Sequence, residues 1–113
     1  PYFPLANGLL SGKYRRGAAP AGSRLTHSRR YLLETADWGQ LERFSAFASE
    51  RGMTEIEVAF SWLASRPQVA SVIAGATRPE QIVQNARAVR RLSSEDLAAL
   101  DEIFPPAPRV ALF

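Results

Sequence analysis

Residues 69–74 (VASVIA) form a short apolar, β-branched run that passes through Gly75-Ala76-Thr77-Arg78 to Pro79 and then to Gln81, Gln84 and Asn85. That order of residue types suits an anion. Gly75 permits close backbone approach, the Thr77 hydroxyl can donate to a phosphate oxygen, and the Arg78 guanidinium can clamp it. A helix opening at Pro79 adds free N–H groups and about half a positive charge at the same place. Gln81, Gln84 and Asn85 stand at i, i+3 and i+4, so one helical face presents three amides able to hydrogen-bond a purine edge. The plainer alternative is that Thr77 caps the helix and the amides are solvated.

A second cluster is residues 4–14 (PLANGLLSGKY), where Pro4, Gly8 and Gly12 punctuate a tight segment that ends on Lys13, the chain's lone lysine. It is neither GxxxxGK[ST] nor GxGxxG, and taken alone it reads as a Gly-rich connection with an exposed Lys. The charge distribution gives it more weight. Residues 1–33 carry six basic and no acidic side chains, whereas 34–113 carry eight basic and eleven acidic ones, a split of +6 against −3. An acid-free segment of Arg and Lys is matched to phosphate, although a solvated basic loop would look the same.

The elements that must hold these residues follow from periodicity. Residues 1–36 lack a helical period and hold Gly8, Gly12, Gly17 and Gly22, which predicts the remnant of a strand at Tyr2-Phe3 and then a long irregular loop. In that loop Tyr14 and Tyr31 are expected to pack the chain down, and His27 to be a polar loop residue. Asp37 with Gln40 makes a capping-box pattern before Trp38, Leu41, Phe44 and Ala48, predicting a helix over 38–51. Thr54 with Glu57 repeats the box before a helix that is apolar almost all round, ending at Arg66-Pro67. Trp38 and Trp62 read as core. Residues 69–74 are expected to be a strand buried on both faces. Pro79 sets the start of a helix with Ile82, Val83, Ala86 and Val89 as its apolar stripe, and a last helix runs from Ser93-Ser94 to Pro105. One apolar strand needs ladder partners that this sequence does not supply, so the expectation is a segment of a parallel α/β fold rather than a complete domain.

Composition narrows the classes. The chain has 113 residues, 46% apolar, 22% charged and net +3, which allows one domain at most. Absence of Cys excludes a disulfide scaffold, a thiolate metal site and a Cys nucleophile, and makes a reducing cytoplasm the default expectation. No apolar run reaches the roughly 18 to 20 residues of a membrane span, and no signal-peptide pattern opens the chain.

PLANGLLSGKY, the downstream Gly22-Ser23-Arg24, and VIAGATRPEQIVQNARAV followed by LSSEDLAALDEI resemble, in that order, the C-terminal part of aldo-keto reductases. The resemblance extends to about Pro105 and is closest to the branch of potassium-channel β-subunit-like and bacterial oxidoreductases. It implies a (β/α)8 TIM barrel that binds NADPH at its C-terminal face. Residues from Tyr2 to Gly8 would leave strand seven, 69–74 would be strand eight, and residues 1–113 would be the C-terminal segment of the domain. The resemblance also implies that Pro4, Leu5 and Ala6 line the nicotinamide and ribose, and that Lys13 and Arg24 face the pyrophosphate. Gly75, Thr77 and Arg78 would hold the 2′-phosphate region, while Gln81, Gln84 and Asn85 contact adenine and its ribose. Gln84 departs from the family's usual Glu. The family reduces aldehydes and ketones with a Tyr, Lys, Asp and His carried on earlier strands. No residue here stands at those positions, so the chain alone is expected to be inactive, and its partners to be the nicotinamide cofactor and a small carbonyl substrate. An Arg at the 2′ position favours NADPH over NADH.

Two readings of other classes compete. Arg87, Arg90 and Arg91 with the basic loop would suit a small nucleic-acid-binding module, though no recognised motif supports it. Alternatively, the chain is a non-catalytic partner that completes a barrel with another chain or by self-association, its unpaired strand edges favouring such docking.

Overall fold

The computed structural model describes residues 3–108. Its elements run in the order 3-10 helix Ala6–Ser11, α1 Arg24–His27, α2 Arg30–Glu34, α3 Trp38–Glu50, α4 Glu55–Ala64, α5 Pro79–Arg87 and α6 Ser94–Ile103.

Each of the three longer helices starts on a side-chain cap. Asp37 accepts the Gln40 N–H at 2.9 Å, Thr54 accepts that of Glu57 at 3.2 Å, and Ser93 accepts that of Asp96 at 3.1 Å. The Thr54 box is complete, since Glu57 Oε2 accepts the Thr54 N–H at 2.8 Å. The Asp37 box is half formed. The Gln40 amide instead donates to the Ile103 carbonyl at 2.8 Å, tying α3 to the end of α6. α3 ends where Gly52 takes a left-handed φ of 61°, with the Gly52 N–H on Ser49 O and the Met53 N–H on Ala48 O, a pair of bonds that closes the last turn.

The core is helical. Phe44, Phe47 and Ala48 of α3 meet Val58, Ala59 and Phe60 of α4, with Ala88, Leu92 and Leu100 completing the cluster and the Phe104 ring edge-on to Phe44 at 5.5 Å. Removing one such phenyl ring by Phe→Ala costs about 3–5 kcal/mol. α4 is buried on successive residues from Val58 to Ser61, as its all-round apolar pattern predicts. The buried Ser61 hydroxyl is satisfied twice, donating to Ala88 O and accepting the Arg90 N–H. On the outer side of α4, Asp101 of α6 accepts from Trp62 Nε1 at 3.1 Å and from Arg66 at 2.6 Å.

Several expectations are corrected. There is no strand among the described residues. Residues 69–76 belong to no helix and have no ladder partner, the chain bends at Ala70, and only alternate side chains, Val72 and Ala74, reach the core while Ile73 is 69% exposed. An extended run becomes a strand only when a neighbour takes its N–H and C=O groups, and no described segment does. For the same reason the α5 stripe is open, with Ile82, Val83 and Val89 exposed, and α5 ends at Arg87, before Val89. The irregular loop proposed for the first third contains the 3-10 helix, α1 and α2. Tyr31 is exposed rather than packed, and Trp38 is only half-buried. Of the strand remnant proposed at the start, Tyr2 lies outside the described residues and Phe3 has φ 60°, incompatible with a strand. No described helix is long and apolar enough to cross a membrane.

Candidate functional site

Residues 75–85 form one hydrogen-bonded ledge. Arg78 is the N-cap residue of α5, extended at φ −141° and ψ 147°, and Pro79 takes the first helical position. Arg has no acceptor atom, so the return half of a capping box carries this end: Gln81 Oε1 accepts the Arg78 N–H at 3.2 Å. The same oxygen also accepts the Thr77 N–H at 2.8 Å and the Thr77 hydroxyl at 3.2 Å. Asn85 Nδ2 reaches back to the Gly75 carbonyl at 3.4 Å. The structure therefore brings Gly75, Thr77, Arg78, Gln81 and Asn85 together, with Gln81 turned inward as their organiser. Gln84 is exposed and joins none of these bonds. Thr77 does not cap the helix. It lies one residue before the cap, and its hydroxyl points at Gln81.

The second cluster is built on strained backbone. Ala6 and Asn7 hold left-handed φ values of 47° and 60°, directly after Pro4 and Leu5, and Leu5 packs on the core. Asn7 Oδ1 is buried with no hydrogen-bond partner. Strain of this kind costs roughly 1–3 kcal/mol per residue and concentrates at functional sites. Further along, Tyr14 is buried, its hydroxyl accepts the Leu25 N–H at 3.3 Å, and the Lys13 ammonium lies 5.3 Å from the Tyr14 ring centroid. The bond from Tyr14 to Leu25 brings their neighbours Lys13 and Arg24 onto adjoining backbone.

The cations divide by pairing. Arg15, Arg16, Arg30, Arg51, Arg66 and Arg90 each contact a carboxylate within 4.0 Å. Lys13, Arg24 and Arg78 are exposed and have no acidic partner among the described residues, a state they share with Arg29, Arg43, Arg87 and Arg91. An unpaired cation beside helix or loop N–H groups fits phosphate. The residues present thus match a phosphate-rich dinucleotide in kind. Two open grooves of about 300 and 380 Å³ lie beside Trp38; the first is bordered by Gly12, Tyr14, Arg15 and Glu55 next to the Lys13 loop, and no residue from 75 to 85 lines either.

Sequence reasoning missed Glu55. Its carboxylate accepts from Ser45 at 2.7 Å and from Arg15 at 3.1 Å, and an added Cβ on Gly12 would lie 2.6 Å from Glu55 Oε2. An acid in the first turn of a helix is ordinary, so nothing local marks it out. Burial is the largest influence on this carboxyl and pushes its pKa up. The hydrogen bonds from Ser45 and from its own backbone N–H, with the charge and hydrogen bond of Arg15, outweigh burial and hold it below the usual range.

The sequence model of the Aldo/keto reductase family matches residues 1–104. Among curated proteins, the chain is 37% identical over 117 residues to a putative voltage-gated potassium channel subunit beta of Schizosaccharomyces pombe, covering 95% of the chain and 34% of that protein. It is 36% identical over 110 residues to L-glyceraldehyde 3-phosphate reductase of Escherichia coli O157:H7, covering 89% and 32%. It is 30% identical over 106 residues to the NADH-specific methylglyoxal reductase of Escherichia coli K12, covering 90% and 32%. The chain spans about a third of the length of these relatives. With the family pattern matched across nearly its whole length, the chain belongs to the aldo/keto reductase family.

Proposed function

We propose that this chain is the cofactor-binding, C-terminal segment of a (β/α)8-barrel oxidoreductase that reduces aldehydes or ketones with NADPH. The observation that carries the reading is the state of Lys13, Arg24 and Arg78: each stands at a family motif position and each lacks an acidic partner among the described residues. NADPH supplies a hydride to the carbonyl carbon. In this reading Pro4, Leu5 and Ala6 border the nicotinamide side, Lys13 and Arg24 take the pyrophosphate, and the Arg78 guanidinium takes the 2′-phosphate beside Gly75 and Thr77. Gln84 and Asn85 offer amides to adenine. Gln81 acts chiefly by holding Thr77 and Arg78 in place, since its oxygen is committed to their three donors.

The exposed side of residues 69–74 and the open α5 stripe are where neighbouring barrel elements would pack. Such partners would give residues 69–74 the ladder that they lack here. The chain carries no Tyr, Lys, Asp or His at the positions of the family's proton-relay groups, so by itself it is inactive, and the cytoplasm suits its cysteine-free composition.

The reading is tested by titrating the chain with NADPH and assaying it for carbonyl-dependent NADPH oxidation. Saturable binding without turnover is the expected result. No binding by a folded chain would contradict the cofactor role, and turnover by the chain alone would contradict its predicted inactivity.

A further inference from the structure

We propose that Glu55 is a positioning residue: its carboxylate packs against Gly12 and binds the Arg15 side chain, the two flanks of Lys13, so that the segment carrying the ammonium is held in place for an anion. The inference rests on the cofactor reading for the identity of that anion, a pyrophosphate. Gly12 precedes Lys13 and holds a left-handed φ of 79°, with its Cα hydrogens so close to the carboxylate that a methyl group there would sit 2.6 Å from Oε2 and 2.8 Å from Cδ. Arg15 follows Lys13 by two residues and donates to Oε1 at 3.1 Å. Ser45 of α3 donates to the same oxygen at 2.7 Å, so the carboxylate is itself held and cannot swing away.

The burial pattern makes the acid the fixed partner. The Glu55 side chain is 17% exposed, against 55% for Arg15. Glu55 and Arg15 neutralise each other, which leaves the intervening Lys13 without an acidic partner and able to meet a ligand's negative charge. A flexible loop would have to be ordered when the ligand arrives. A loop already clamped on an acid has paid that entropy on folding, which strengthens binding without adding a contact.

The test is a set of titrations of the native protein with NADPH, ADP and adenosine 2′-monophosphate, the last lacking a pyrophosphate, for wild type, Glu55→Gln, Lys13→Ala and the double variant. The expected result is about a fivefold loss of NADPH and ADP affinity in Glu55→Gln, an unchanged affinity for adenosine 2′-monophosphate, and no further loss when Glu55→Gln is added to Lys13→Ala. Equal weakening of all three ligands, no weakening at all, or full additivity with Lys13→Ala would overturn the proposal. If Glu55→Gln does not fold, Arg15→Met and Ser45→Ala remove the partners of the same carboxylate and must show the same ligand pattern. Wild type that binds none of the three would overturn the cofactor reading itself. Wild type that binds only adenosine 2′-monophosphate would overturn the Lys13 inference while leaving a phosphate site at Arg78.

Discussion

Tyr14 Oη accepts the backbone N–H of Leu25 at 3.3 Å, and both residues are buried. That N–H is one of the donors that the first turn of any helix leaves free, here at the second residue of α1. A single phenol therefore fixes the spacing between the two loop segments that carry Lys13 and Arg24.

Tyr14→Phe keeps the ring and deletes the acceptor. Leaving a buried N–H unsatisfied costs about 1–3 kcal/mol, so a loss of that order is expected in the stability measured by urea denaturation. A variant as stable as wild type would mean that the hydroxyl is dispensable and that packing of the ring alone holds the loop.

Gly12→Ala forces a non-glycine residue into the left-handed region, which costs roughly 1–2 kcal/mol, and also drives a methyl group into the clamped Glu55 carboxylate. Gly22→Ala meets the same backbone penalty at φ 71° with nothing within 4 Å of the added carbon. The expected result is a larger loss for Gly12→Ala than for Gly22→Ala in parallel denaturation curves. Equal losses would show that Glu55 gives way.

How far the sequence disclosed this arrangement depends on the range of the interactions. The helices at Trp38, Glu55, Pro79 and Ser94 were legible because cap and period lie within a few residues of each other. The Thr77, Arg78 and Gln81 cluster was legible as a group for the same reason, although the inward turn of Gln81 was not. Residues 69–74 form no strand among the described residues because β-branched composition specifies a willingness to pair and cannot supply the partner. Glu55 escaped notice since its contacts to Gly12 and Arg15 span about forty residues and have no periodic signature.

Acidification should weaken the fold in a defined window. Asp96 is held below the usual carboxylate range, first by the hydrogen bond from Arg51 Nε at 2.6 Å and against a smaller opposing effect of burial, and Glu55 is also lowered. For a carboxyl whose folded pKa is depressed, the stabilisation is present above its unfolded value of about 4 and is lost as pH falls through the folded value. Urea midpoints should therefore drop as pH falls below about 5, and Asp96→Asn should flatten that drop while lowering the midpoint at neutral pH. A wild-type midpoint that is constant across the window would contradict the assignment.

The central claim is that unpaired cations at the Thr77–Arg78 ledge and the Lys13 loop recognise a phosphorylated nicotinamide dinucleotide, and the most direct test is a pair of isothermal titrations with NADPH and NADH, for wild type and Arg78→Ala. Wild type should prefer NADPH, and Arg78→Ala should weaken NADPH by roughly 10- to 100-fold, the worth of a charge-assisted hydrogen bond, while NADH binding stays the same. Equal affinity of wild type for both cofactors, or an equal loss of both in Arg78→Ala, would contradict the account.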